Sequence, residues 1–285
     1  MKVVMTGRGG SGSWEIRGAQ LGAAIGADVY PKLTRFTGYD LAVVVKRTPP
    51  EVIAGIRAAG IPFVYDIVDA YPQPASCSWD RPRAIAWIRE TLVHLKPDAI
   101  IWPTRRMRDD CDPFRRTVSE IIPHHCRANA KPNPIREKIA RIGYEGSPRY
   151  LDGWEPVIRA ECARRGFEFV INPNNLADCD VVVAFRGGEW AGYSTRHWKS
   201  HVKLANCHGT GTPFVGQQES GYMENATGCE YWAESIKDFR TALDWLEEHQ
   251  ARQHIAEEFR KHAYTIEHAA ADLKGFLDVV IANRL

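Results

Sequence analysis

Short apolar runs of strand length recur along this chain, each followed by a longer stretch whose apolar residues fall at helical spacing. KVVMTG (2–7), LAVVVK (41–46), PFVYDIVD (62–69), DAIIWPT (98–104) and IIPHH (121–125) read as strands. Between them SWEIRGAQLGAAIG (13–26), PPEVIAGIRAAG (49–60) and RPRAIAWIRETLVHLK (81–96) read as helices, with RMRDDCDPFRRTVSE as a shorter one. Strand–helix alternation of this kind implies parallel sheets with helices on both faces. The segment RANAKPNPIRE (127–137), rich in Asn, Pro and charge, then interrupts the pattern as a linker. Beyond it the same order restarts. KIARIGYEG (138–146), FEFVI (167–171), DVVVAF (180–185) and TPFVG (212–216) read as strands. WEPVIRAECARRG (154–166), HWKSHVKLANCHGTG (197–211), SIKDFRTALDWLEEH (235–249) and a tail over 251–284 read as helices. The expectation is an α/β protein of two Rossmann-like halves, whose chemistry belongs in the loops beyond the strands' carboxyl ends.

Composition narrows the class. A chain of 285 residues has room for two modest domains, and 44% apolar with 25% charged residues is ordinary for a folded, soluble protein. No apolar run approaches the ~18 residues of a membrane span. The N-terminal MKVVMTGRGG lacks the long apolar stretch of a signal peptide, so the expected location is the cytoplasm of a bacterium or of a phage-infected host. Cys77, Cys111, Cys126, Cys162, Cys179, Cys207 and Cys229 form no CxxC pair, which excludes a disulfide scaffold and a zinc ribbon. The net charge of +2 decides nothing about partners, but from Lys96 to Arg141 there are 11 Lys and Arg against 6 Asp and Glu. Within that stretch Arg105, Arg106, Arg108, Arg115 and Arg116 form either a solvated face or a patch that attracts a polyanion, and Asp109, Asp110 and Asp112 interrupt it.

Four groups of loop residues can carry chemistry. Gly7-Arg8-Gly9-Gly10-Ser11-Gly12 matches G-x-G-x-x-G between a strand and a helix, and backbone amides there suit an anion. Trp14 directly after it, and the lack of an acidic residue closing a second strand, weaken a nicotinamide reading and leave a glycine loop at a cleft. Asp66 and Asp69 lie near a strand's carboxyl end, where a carboxylate can accept a hydroxyl proton or cap the following turn. His124 and His125 are expected to end the last strand of the first half, at the cleft, without further ligands at metal spacing. In the second half, the glycine loop GYEGS (143–147), Arg186-Gly187, Lys199 and Lys203 four apart on one helical face, and GQQESGYME together suggest a diphosphate clamp. Asp178-Cys179-Asp180 fits the metal-binding Asp-x-Asp pattern, but precedes a strand and reads as a helix-to-strand turn.

At the level of organisation the whole chain resembles the GT-B glycosyltransferases, and VKLANCHGTGTPFVGQQESGYME is similar to their K-x-x-E-x-x-x-x-G-x-P stretch and the turn that follows. The resemblance implies an acceptor-side domain over 1–130, a donor-binding domain over 131–262, and a last helix, 263–285, crossing back to the first domain. It implies a nucleotide-sugar donor, most simply a UDP-sugar, with no essential metal. Lys203 would face the donor diphosphate with Gly146, Ser147, Arg186, Gly187 and Lys199. Glu219, Ser220 and Gly221 would approach the sugar, and Asn206 stands where many retaining members carry a ribose-binding Glu. The base would come from the first domain, Asp69 first, then Asp66 and His124, with the lobes closing about 127–137 to exclude water. Gly10, Ser11, Arg105, Arg106 and Arg108 would meet the acceptor. A compact GT-B chain with a basic patch also resembles the phage glucosyltransferases that modify hydroxymethylated pyrimidines in DNA. Two other classes stay open: an NAD(P)-dependent oxidoreductase, and a non-catalytic nucleotide-sugar-binding module.

Overall fold

The computed structural model describes residues 1–69, 80–112 and 118–283, so Cys77, Arg115 and Arg116 lie outside the described residues. Strands β1 (Val3–Gly7), β2 (Asp28–Val29), β3 (Leu41–Val45), β4 (Phe63–Asp66), β5 (Ala99–Trp102) and β6 (Val118–Ile121) form one sheet in the order β2-β1-β3-β4-β5-β6. Strands β7 (Arg141–Tyr144), β8 (Glu168–Ile171), β9 (Val181–Ala184), β10 (Phe214–Gly216) and β11 (Tyr231–Trp232) form a second, ordered β11-β10-β9-β7-β8. Every described pairing is parallel. In each sheet the strand order reverses beside the first strand, so the loops after β1 and β3, and after β7 and β9, open the crevices where α/β sheets take ligands.

The apolar strands are buried on both faces, as their sequences require. Val4, Ala42 and Val44 enter the core on one side of the first sheet, while Val3, Met5, Leu41, Val43 and Val45 enter the core on the other. That second core is completed from the far end of the chain. Helix Ile266–Ala282 contributes Ala269, Leu273, Phe276, Leu277 and Val280 to it. The expected helical tail is therefore two helices, because His249–Lys261 packs on helix Val202–Thr210 of the second lobe before the chain crosses back.

Three other expectations are corrected. The last strand of the first sheet is β6 rather than 121–125: its pairing with β5 ends at Ile121, and Pro123, with no N–H to give, begins an irregular segment that carries His124 and His125. The stretch 197–211 is not one helix. Helix Tyr193–Trp198 ends at Lys199, which is extended, and Val202–Thr210 begins after His201. The break follows from two anchors in different lobes. Trp198 is buried in the first lobe's core and its indole N–H donates to Asp110 (3.0 Å), whereas Leu204 and Cys207 are buried in the second core. Lys199 and Lys203 consequently share no helical face. Finally, segment 127–137 is fastened to the second lobe and is no free joint: Asn133 donates to the carbonyls of Thr210 (from its backbone N, 2.7 Å) and Cys179 (from its side chain, 2.8 Å). The two crossings between lobes meet just outside it, where the Cys126 N–H donates to the Tyr264 carbonyl (2.9 Å).

Candidate active site

Between the lobes lies a cleft of about 690 Å³. The first lobe lines it with Gly12, Ser13, Asp69 and His124, and the second with Glu145, Gly146, Lys203 and Asn206. Of the residues singled out from sequence, the cleft wall thus collects Gly12, Asp69, His124, His125, Gly146, Lys203 and Asn206.

On the second-lobe side of the cleft the most unusual group is Lys203. It is 7% exposed, with Nζ 4.5 Å from the centroid of the Tyr144 ring, and among the described residues no carboxylate pairs with it. Burial, seconded by the Arg186 guanidinium, pushes its ammonium down to about 7. A half-neutralised lysine in a cleft is a group that gains from a bound anion. The glycine loop sits directly above it. Gly146 has a left-handed φ of 133°, its N–H donates to Asn172 Oδ1 (2.7 Å), and a Cβ built there would lie 3.5 Å from Lys203 Cε. Ser147, next in the loop, accepts a hydrogen bond at its carbonyl from the Tyr144 hydroxyl (3.2 Å).

Behind Lys203 the other second-lobe residues expected to meet a donor hold one another. Arg186 is buried and donates from Nε to Glu219 Oε1 (2.6 Å), while Glu219 Oε2 is buried without a hydrogen-bond partner. Neither residue lines the cleft. Gly187 is packed so closely that a Cβ there would lie 2.6 Å from the Leu151 carbonyl oxygen. Ser220 Oγ is 2.8 Å from His197 Nδ1, and Gly221 meets the Lys199 carbonyl where no Cβ fits. Asn206 bridges the cleft wall: its side chain donates to Glu145 Oε2 (2.9 Å) and accepts from the Arg127 N–H (3.0 Å), and Arg127 is also ion-paired with Glu145. Glu145 has no role assigned from the sequence, where it is one residue of the glycine loop GYEGS. Its signal was its position, one residue beyond the end of β7 at the reversal of strand order.

On the first-lobe side the three candidate bases separate. Asp66 is buried outside the cleft, bonded by Arg17 Nε (2.7 Å) and the Val68 N–H (3.1 Å), with burial raising its pKa against the pull of Arg17. It holds the core together and does not reach the cleft. Asp69 lies in the cleft between two ammonium groups, Lys46 Nζ at 2.5 Å and Lys199 Nζ at 3.1 Å. Burial acts upward on its carboxyl, but Lys199 and Lys46 outweigh it and hold the group well below the usual carboxylate range. Because Lys199 belongs to the second lobe, this pair spans the cleft. His124 is 4% exposed, lines the cleft, and among the described residues neither ring nitrogen has a hydrogen-bond partner. Burial, then Arg17 and His201, keep its pKa well below 6.5, so the ring is neutral. His125 differs, its Nδ1 lying 2.8 Å from the Cys126 carbonyl oxygen.

The acceptor-side expectations divide too. Gly10 and Ser11 line a separate hollow beside the cleft. Ser11 caps the first helix by accepting from the Trp14 N–H (3.2 Å), and Gly18 lets the Trp14 ring lie against the helix where a Cβ would be 2.7 Å from it. Gly18 in the helix, and Gly7 at the head of the loop, where a Cβ would lie 3.3 Å from the ring, thus accommodate the indole. Arg106 is no open cationic face: its Nε donates to Asp110 (3.2 Å) and its NH2 to the Tyr193 hydroxyl (2.6 Å), which ties the lobes together. Arg108 pairs with Asp109 (3.1 Å), and the backbone N–H groups of Arg105 and Arg106 donate to Glu224 of the second lobe. The Asp-x-Asp match is also structural, since Asp180 accepts from the N–H groups of Ala140 and Arg141 (2.8 Å each).

No protein-family model and no curated protein matches the sequence. Solved structures do. Anabaena HepE in complex with UDP superposes with a TM-score of 0.68 at 12% identity, covering 98% of this chain and 100% of that one. AviGT4, a glycosyltransferase involved in avilamycin A biosynthesis, gives 0.59 at 13% identity over 99% of each chain. The fold is GT-B. A putative UDP-N-acetylglucosamine 2-epimerase from Listeria monocytogenes gives 0.56 at 12% identity, over 98% of this chain and 96% of its own. GT-B architecture therefore accompanies more than one reaction, and the site must choose between them. Among the described residues no helix is long and apolar enough to cross a membrane.

Proposed function

We propose that this chain is a glycosyltransferase that moves a sugar from a nucleoside-diphosphate sugar, UDP-glucose or a close analogue, to an acceptor hydroxyl. The observation that carries the reading is Lys203, a buried cation facing an interlobe cleft with, among the described residues, no carboxylate of its own and with a glycine loop beside it. The UDP and UDP-glucose complexes of HepE, a protein of the same fold, support a donor of this class. Residues 1–130 serve the acceptor, residues 131–262 the donor, and the helix after 263 returns to the first lobe.

In transfer, the bond from the anomeric carbon to the diphosphate oxygen breaks, and a bond to the acceptor oxygen forms. Negative charge collects on the departing diphosphate, so a cation and amides already in place lower the barrier. Lys203 takes that part, and Lys199 lies close enough to act electrostatically on Lys203, while the Gly146 N–H is held by Asn172 and fixes the shape of the loop. Arg186 and Glu219 act from behind, holding the loops at the ends of β9 and β10. The Asn206–Glu145 pair presents a carboxylate to donor hydroxyls. The acceptor proton goes to His124, whose two unpartnered nitrogens suit a hydrogen bond from a hydroxyl better than Asp69, already engaged by two lysines. Asp69 positions those lysines. Duplex DNA is not favoured as acceptor, because Arg106 and Arg108 are engaged within the protein.

The test is incubation with UDP-glucose and a panel of hydroxyl acceptors, following UDP release and the sugar's fate. UDP release that depends on an acceptor supports transfer. Rearrangement of the sugar while it stays on the nucleotide would replace transfer by epimerisation. A chain that binds no nucleotide diphosphate sugar would overturn both.

A further inference from the structure

Beside the cleft, the carboxyl ends of β1 and β3 enclose a second hollow of about 320 Å³, lined by Arg8, Gly10, Trp14, Lys46 and Arg47 among others. It opens outward into a shallower one of about 400 Å³, where Arg8 and Arg47 are joined by Lys32 and by one carboxylate, Glu51. Among the described residues, Arg8, Lys46 and Arg47 thus line the inner space, Lys32 joins the outer one, and Glu51 is the single carboxylate lining either. Lys46 is committed to Asp69 and to Ser13 Oγ (3.2 Å). Arg8 and Lys32 make no ion pair among the described residues. Their backbones are tied together: the Arg8 N–H donates to the Arg47 carbonyl (3.0 Å) and the Lys32 N–H to the Gly7 carbonyl (2.7 Å). Lys32 and Lys46 both take left-handed φ values, 57° and 55°, beside Gly9 and Gly10 at 77° and 66°. Like charges gathered on a connected backbone are stable when something anionic joins them.

Position says what that anion belongs to. The Lys46–Asp69 pair and the turn Ser11–Ser13 form the wall between this hollow and the cleft, with Ser11 on one side and Ser13 on the other. A small molecule seated here reaches the cleft over that wall. We propose that the acceptor carries an anionic group, a phosphate or a carboxylate, and that Arg8, with Lys32 at the outer rim, holds it beside the cleft while the acceptor's hydroxyl enters the cleft. The word acceptor rests on the transferase reading; the anion site does not.

The experiment is equilibrium dialysis of the full chain against radiolabelled inorganic phosphate, with UDP at saturation to fill the donor side. Wild-type protein is expected to bind phosphate, and Arg8→Gln/Lys32→Gln, which changes two exposed side chains, to bind it roughly tenfold more weakly or worse. UDP affinity measured on the same samples is expected to be equal in both, which also shows that the variant is folded. Glucose 6-phosphate or glucuronate should displace the phosphate, and glucose should not. Equal phosphate binding in the variant, or phosphate binding that is present without UDP and lost at saturating UDP, overturns the site. Displacement by a duplex oligonucleotide but by neither small anion overturns the assignment to a small acceptor. If UDP does not bind wild-type protein, the donor reading fails, while the comparison of the two proteins in phosphate alone still reads the hollow.

Discussion

Replacing Lys203 by Met tests the donor site on two independent measurements. The methionine keeps most of the buried stem and its contact with the Tyr144 ring but removes the charge. In the folded protein the ammonium titrates at about 7 instead of 10.5. At 1.36 kcal/mol per pKa unit, that gap corresponds to about 5 kcal/mol of charging cost carried by the folded state. The sign follows from proton counting. Between pH 7 and 10.5 the unfolded chain binds the proton that the folded chain has released, so wild-type stability rises with pH across that window, and below pH 7 the whole cost is present. The unliganded Lys203→Met protein should therefore melt up to about 10–20 °C above wild type at pH 6, at about 2–4 °C per kcal/mol for a chain of this order, and the gap should shrink as pH rises. Ligand binding runs the other way. A diphosphate beside Lys203 favours its charged form, so UDP binding takes up a proton above pH 7. Wild-type affinity should fall by up to about tenfold per pH unit from 7 to 9, a slope that Lys203→Met loses along with most of its affinity. Differential scanning fluorimetry and titration calorimetry read both quantities. A variant that melts below wild type at pH 6, or that keeps the UDP shift and its pH slope, would refute the reasoning.

Three further outcomes follow from the other side chains of the cleft. His124→Gln should lower kcat by about 10²–10⁴ with UDP affinity unchanged, seen in initial rates, and an unchanged kcat removes His124 as the base. Asp69→Asn should cost about 3–5 kcal/mol in denaturant unfolding at neutral pH, since it leaves Lys46 and Lys199 facing each other. Because the Asp69 carboxyl is held low in the folded state, its contribution is complete above the ordinary carboxylate pKa of about 4 and is lost only as pH falls further. The difference between the two proteins should therefore narrow at pH 3; a constant difference contradicts the ion-pair account. Asn206→Leu should release Glu145 and strand the Arg127 N–H, costing about 1–3 kcal/mol, and should weaken UDP binding. Unaltered stability and affinity would make the bridge incidental.

Much of this protein was legible before any coordinates. Strands such as LAVVVK and DVVVAF are apolar at every position because both faces of a parallel sheet are covered, and that local fact implies helices on either side and ligands beyond the carboxyl ends. Lys203 and the loop at Gly146 could be singled out because they sit at such ends, although the helical face that Lys203 was expected to share with Lys199 is broken by the extended Lys199. Local pattern failed wherever two lobes compete for one segment. Residues 197–211 carry a continuous helical pattern, yet Trp198 is drawn into the first lobe and Cys207 into the second, and the helix breaks between them. Asp66 and Asp69 look equivalent in sequence; one is neutralised in the core by Arg17, the other suspended between lysines from both lobes. Arg106 reads as an open cation until Tyr193 and Asp110 arrive from elsewhere in the chain. Secondary structure and the location of the cleft come from forces between near neighbours, which the sequence lists in order. The protonation and partners of its charged groups depend on burial and on long-range pairs, and those exist only once the two lobes have met.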